Sequence, residues 1–203
     1  MTPRLVLATA NPGKVRELAA LLDGLGYRCV SLADVGGVRL PPEGETSYAD
    51  NALGKARAAS AATGDVAVGD DSGLEVDALG GRPGIASARY GGPGLSDPER
   101  VSHLLAAVAP APTRTARFRS LVALVAPWGE EAVVEGVVEG TLTTAPRGTR
   151  GFGYDPIFLV PAFGRTFGEL SDAEKARVSH RARAVAAARP ILARWAERLG
   201  RRA

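Results

Sequence analysis

Arg4-Leu5-Val6-Leu7-Ala8, then Thr9-Ala10-Asn11-Pro12-Gly13-Lys14, then Val15, Leu18, Leu21 and Leu22: this opening stretch decides the fold class. The short apolar run reads as a buried strand, the next six residues as a loop, and the spacing after them as one face of a helix. Asn11 stands where a helix N-cap belongs, with Pro12 at the first helical position, where its missing N–H costs nothing. Strand, turn and helix in that order favour α/β.

Working outward, Tyr27 to Leu32 reads as a second strand, and Pro41-Pro42-Glu43-Gly44-Glu45 as a loop into a helix from about Tyr48 to Ala62, capped by Ser47. Val66-Ala67-Val68 enters Gly69-Asp70-Asp71-Ser72-Gly73 and Leu74-Glu75-Val76 leaves it, so an acidic turn is expected between two extended pieces. Ser96-Asp97-Pro98-Glu99 opens a helix to about Val108. Arg117 to Ala126 and Ala132 to Leu142 flank Pro127-Trp128-Gly129-Glu130, a hairpin signature. A Gly-rich loop, Gly148 to Pro156, precedes a strand at Ile157 to Val160. Ser171 and Glu174 form a capping box for a last helix to about Leu199, with a bend before Pro190. The expectation is a mixed β-sheet flanked by helices, drawn into two lobes with a cleft, all within one domain over residues 1–203.

The 203 residues are 45% hydrophobic and 23% charged, which is globular composition and excludes disorder. Cys29 is the single cysteine, so neither an intramolecular disulfide nor a zinc site of several thiolates can form. No run approaches the roughly 18 apolar residues of a membrane span, and no export signal opens the chain, so a cytoplasmic protein is expected. The net charge of +3 is spread along the chain rather than gathered on a basic face, which argues against nucleic acid. Rare residue types are more telling. Among 25 basic residues only Lys14, Lys55 and Lys175 are lysine, the asparagines are Asn11 and Asn51, and Gln is absent. A compact ammonium kept where arginine is the default fits a point-charge contact such as a phosphate oxygen.

Five constellations could carry chemistry. The first loop aims helix amides, a positive helix end and Lys14 at one place, which suits a phosphate chain; an ordinary capped helix would look the same. Asp70-Asp71-Ser72-Gly73 offers hard oxygen ligands of the kind that hold Mg²⁺ jointly with substrate phosphates, or a solvated turn. Adjacent residues on extended backbone point oppositely, so one of the two aspartates faces the chemistry while the other supports it. Glu43 is a candidate second ligand. Asn51 and Lys55 share one helix face, and Lys175 lies about a turn before Ser179-His180-Arg181, a donor-rich edge suited to carbonyl oxygens. In Gly151-Phe152-Gly153-Tyr154-Asp155-Pro156, either aromatic could stack on a base and Asp155 could accept from ring nitrogens.

Read in order, Thr9 to Glu17, Asn51-Ala52 with Lys55-Ala56, Asp70 to Leu74, Pro83-Gly84-Ile85 with Ala88-Arg89-Tyr90, Gly151 to Phe158 and Ser179-His180-Arg181 closely resemble the inosine triphosphate pyrophosphatase family. The resemblance runs from residue 5 to about 185. It implies an elongated α/β fold, a homodimer, Mg²⁺ dependence, and conversion of ITP, dITP or XTP to the monophosphate and pyrophosphate. By position it implies that Thr9, Ala10, Asn11, Pro12, Gly13 and Lys14, with Lys55, hold phosphates. Asp71 would be general base and metal ligand, and Ser72 would touch substrate. Phe152, Gly153, Tyr154, Asp155, Lys175, His180 and Arg181 would line the nucleotide pocket. Glu43 would be the second metal ligand; because Glu43-Gly44-Glu45-Thr46-Ser47-Tyr48 departs from the family's usual Glu-Thr-Gly-x-Thr-Phe form, Glu45 competes for that role. The alternatives are a Maf-like pyrophosphatase for modified pyrimidine nucleotides and a non-enzymatic nucleic-acid binding module.

Overall fold

Leu5 and Leu7 of strand β1 (Arg4–Ala8) join one apolar cluster while Val6 and Ala8 join another, and all four are at most 1% exposed. A strand covered on both faces needs a helical layer on each side. The computed structural model describes residues 2–201 and supplies both layers. On one side Leu18 and Leu22 at helix α1 (Pro12–Leu21) pack with Leu192 and Trp195 of the C-terminal helix. On the other, Ala52, Ala56 and Ala59 come from α2 (Tyr48–Thr63). Strand β1 pairs in parallel with β2 (Arg28–Ser31) and with β3 (Val66–Val76).

The chain divides into two compact units. The first holds residues up to Asp71, Ser120–Gly136 and the residues from Arg181 on, and contains both clusters just described. The second comprises Ser72–Arg119 and Val137–His180. It has its own core, where Val101 and Leu104 of α3 (Asp97–Val108) meet Phe118, Phe158 and Phe167. Strand order is β2-β1-β3-β5-β6-β7-β8, with β4 (Pro83–Gly84) on β3; β5 is Thr115–Val125, β6 Glu131–Leu142, β7 Phe158–Val160 and β8 Arg165–Thr166. The sheet is mixed, β6, β7 and β8 being antiparallel.

The local signals agree with the structure. Asn11 caps α1, Ser47 caps α2, and capping boxes at Ser96 and Ser171 start α3 and α4 (Asp172–Val178). Two expectations differ from it. Asp70 to Gly73 is no turn but the middle of β3. There a Cβ on Gly69 would lie 2.1 Å from the carbonyl oxygen of Ala52, so the glycine lets α2 lie against the strand rather than bending it. The last helix is also two helices: Ser179 has extended backbone (ψ 158°) between α4 and α5 (His180–Gly200). Pro190 sits inside α5 without ending it, because Ala188, Leu192 and Trp195 around it are buried and packing offsets the local cost of about 3 kcal/mol.

Candidate active site

In the first unit, β3 presents its two aspartates to different partners, as alternation requires. Asp70 is fully buried. Its carboxylate takes a hydrogen bond from Ser120 Oγ at 2.5 Å, from Arg181 Nη2 at 2.9 Å and from Arg181 Nε at 3.2 Å, and Lys14 Nζ lies 3.0 Å away. Burial alone would raise its pKa; Arg181 and Lys14 overcome that and hold the carboxyl well below the usual aspartate range. Asp71 points to α2, where Lys55 Nζ donates to Oδ1 at 3.1 Å and Asn51 Nδ2 to Oδ2 at 3.0 Å. Here desolvation prevails over Lys55 and Asn51, and the Asp71 pKa is raised from 3.8.

Lys55 Nζ also donates to Glu43 Oε1 at 2.8 Å and to the Asp70 carbonyl at 2.8 Å, so three of its donors converge on the catalytic candidates. Burial lowers its pKa, but the carboxylates of Asp71, Glu43 and Asp70 carry it above the ordinary 10.5. Asn51 does double duty: its amide oxygen accepts from Gly44 N at 2.7 Å and its amide nitrogen donates to Gly44 O at 3.1 Å, tying the Glu43 loop to Asp71. The loop thus brings Glu43, not Glu45, onto the lysine that Asp71 holds.

The α1 terminus departs from expectation in one respect. Asn11 Oδ1 accepts from Gly13 N at 2.8 Å and Lys14 N at 3.3 Å, and Thr9 Oγ1 from Asn11 N at 3.2 Å, so the side-chain cap occupies these amides. What this loop offers an anion is the Lys14 ammonium and the field of the helix end. Desolvation lowers the Lys14 pKa from 10.5 despite the attraction of Asp70.

In the second unit, Gly151 has φ +76°, and a Cβ there would lie 1.9 Å from Asp155 Oδ2. Only glycine leaves room for that carboxylate, which accepts from Phe152 N at 2.9 Å and Lys175 Nζ at 2.5 Å. Lys175 Nζ lies 5.0 Å from the Phe152 ring centre and 5.3 Å from that of Phe167. Of the two loop aromatics, Tyr154 turns inward: it is buried, and its hydroxyl donates to Ser87 O at 3.0 Å. Phe152 is the partly exposed one. Gly153 N donates to Asp97 Oδ2 at 2.7 Å. His180 lies buried with its ring stacked on Phe118.

Residues 5–191 match the Ham1 family. This chain belongs to that family. It is 55% identical over 185 residues to the dITP/XTP pyrophosphatase of Symbiobacterium thermophilum, covering 90% of this chain and 91% of that one. It is 50% identical over 186 residues to an enzyme of the same name from Thermus thermophilus, covering 91% and 89%. Among solved structures, a HAM1 protein from Coxiella burnetii superposes with a TM-score of 0.84 at 37% identity, covering 94% of this chain and 98% of that chain. The Ham1 membership favours the purine reading over the Maf-like one.

For this Ham1 chain the donor set bears on metal binding. In the first unit, Lys55 lies between the carboxylates of Glu43 and Asp71, while Lys14 and Arg181 pair with Asp70. Among the described residues no group of three or more His, Cys, Asp or Glu forms a complete cage. Two carboxylates, Glu43 and Asp71, that converge on one point fit a hard divalent cation that shares its remaining positions with water and substrate oxygens. Sequence reading missed three supporting residues: Glu17, which accepts from Arg181 Nη1; Ser120; and Phe118. Ser120 had a legible signal, as the polar residue in the inward stripe Ala116, Phe118, Ser120, Val122 and Leu124 of β5. Arg181, expected to line the nucleotide pocket, has its fully buried guanidinium on Asp70 and Glu17.

Proposed function

We propose the residue roles by which this Ham1-family hydrolase acts on the non-canonical purine nucleoside triphosphates ITP, dITP and XTP. Lys14, Lys55, Ser72 and the Thr9–Gly13 loop hold the triphosphate. Phe152 to Asp155, Lys175 and His180 hold the nucleoside, and Arg181 acts from beneath by anchoring Asp70. Asp71 and Glu43 are the ligands for Mg²⁺, which when bound supplies charge neutralisation and Lewis acidity at the phosphate oxygens. The observation that carries this assignment is the single Lys55 ammonium gripped by both Glu43 and Asp71 while Asn51 ties their segments together.

Transfer of this type needs positioning and charge stabilisation more than covalent chemistry. Asp71, a carboxylate whose pKa burial has raised, accepts the proton of a water attacking the α-phosphorus in line. Lys14 and Lys55 offset the charge that builds on the phosphate oxygens. At the other end, His180 donates toward O6 of hypoxanthine or xanthine. Adenine would place a donor there, leaving buried groups unpaired, so ATP is rejected. The two units serve one pyrophosphatase domain in a cytoplasmic homodimer; no helix of the described residues is long and apolar enough to cross a membrane.

Product analysis with ITP and Mg²⁺ tests the reading: IMP plus pyrophosphate is expected, and IDP plus orthophosphate overturns it.

A further inference from the structure

The His180 imidazole is held on one side by a single nearly parallel ring. Phe118 lies with its centre 4.7 Å away at an interplanar angle of 13°. The other aromatic neighbour, Phe167, stands 6.4 Å away at 38°. Phe118 meets the remaining rings of its cluster at steeper angles or longer range, Phe158 at 59° and Phe167 at 5.9 Å, so its one close face-on contact is with His180. Both rings are buried, Phe118 at 8% exposed and His180 at 4%.

The torsion about Cβ–Cγ of a histidine is broad and roughly two-fold, so the surroundings rather than the rotamer well fix the ring plane, and the stacked Phe118 is one of them. Hydrogen-bond strength falls steeply once the donor bends away from its acceptor. A ring clamped face-on can neither tilt nor flip freely, so its edge nitrogens keep one direction. The backbone adds to this: His180 is the first residue of α5, directly after the extended Ser179, which fixes where its Cβ points.

We infer that Phe118 is a positioning residue for base selection: its ring holds the His180 imidazole in the plane from which it donates to the keto oxygen at purine position 6. The inference rests on the base-reading role assigned to His180 above. Phe118 itself touches no substrate. Without its ring, His180 keeps its place but loses its direction, and the penalty against a 6-amino group relaxes.

The test measures kcat and KM for ITP and ATP in the purified Mg²⁺-supplied enzyme, with one-dimensional NMR of the His180 ring protons, for four variants. Phe118→Leu removes the ring, Phe118→Tyr keeps it, Leu104→Ala loosens the same core while leaving both stacked rings in the chain, and His180→Leu removes the donor. Phe118→Leu is expected to lower the ITP-to-ATP ratio of kcat/KM roughly tenfold, the worth of one well-directed hydrogen bond. The loss should fall on KM for ITP, with kcat changed about twofold or less, and the ring protons should shift as the stack is lost. Phe118→Tyr and Leu104→Ala should keep the ratio. If Phe118→Leu does not fold, Phe118→Met carries the same expectation. An unchanged ratio in His180→Leu overturns the base-reading role itself. A changed ratio in His180→Leu beside an unchanged one in the Phe118 ring-loss variant overturns this inference alone, as does an equal loss in Leu104→Ala or Phe118→Tyr.

Discussion

The two units are built from opposite materials. In the first, functional side chains are gathered by charge: Asp70 and Asp71 on one strand draw Lys14, Lys55 and Arg181 from three helices. In the second, rings shape the site: Phe152 and Phe167 flank Lys175, and Phe118 backs His180. The difference teaches where each unit spends its stability. Charge stabilisation at a reacting phosphate needs ions preorganised in low dielectric, which only a mutually neutralising network permits. Selection between bases needs direction and shape, which rigid rings supply with few ionic groups.

The sharpest way to break this comparison is Asp71→Asn. It removes the carboxylate proposed as the base but keeps the shape, and kcat should fall by about 10² to 10⁴ with the circular dichroism spectrum unchanged. Turnover within a few-fold of the parent would show that the charged unit does not house the base. Lys175→Met probes the other unit. It leaves Asp155 buried without its cation, so KM for ITP should rise about tenfold with a smaller change in kcat. A pure kcat effect would mean that the aromatic unit takes part in the chemical step.

A pH profile sharpens the contrast within β3 itself. Asp71 has a raised pKa and, as the proposed base, must be ionised to act, so the acidic limb of kcat/KM should lie above 3.8. Asp70 is shifted the other way. Because its folded pKa is depressed, the stability it contributes is fully present above the unfolded value and drains away as pH falls below about 4. Acid should therefore end activity before it unfolds the protein, and coincident transitions would contradict the division of labour between the neighbours. The smallest effect expected is that of Ser120→Ala. Loss of its bond to a buried carboxylate should cost about 2 kcal/mol, read as a lower Tm at neutral pH, and the deficit should persist into mild acid because Asp70 stays ionised in the folded protein. A deficit that vanishes in mild acid would show that Asp70 is not held ionised by its partners.

Much of the molecule was legible along the chain because the signals are local. The Asn11 cap, the Ser96 and Ser171 capping boxes, and the shared face of Asn51 and Lys55 each depend on residues within a turn or so of one another. The readings that changed are those in which local preference met a distant partner. Asp-Asp-Ser-Gly favours a turn, yet Ser120, Lys14, Arg181, Asn51 and Lys55 satisfy its carboxylates in an extended strand. Helical spacing continued through Ser179, yet the extended residue there restarts the helix at His180.

By itself the sequence determined that this is an α/β chain, where its scarce lysines and asparagines stand, and its kinship to a purine nucleotide hydrolase family. Only the tertiary structure decided which carboxylate keeps which cation, that Glu43 rather than Glu45 reaches Lys55, that Tyr154 turns inward while Phe152 stays at the surface, and that Arg181 lies beneath Asp70. The reason is physical. Caps and periodicity are settled within a few residues, whereas the partner of a buried charge is set by desolvation and distance, and Arg181 and Asp70 meet across 111 positions of chain.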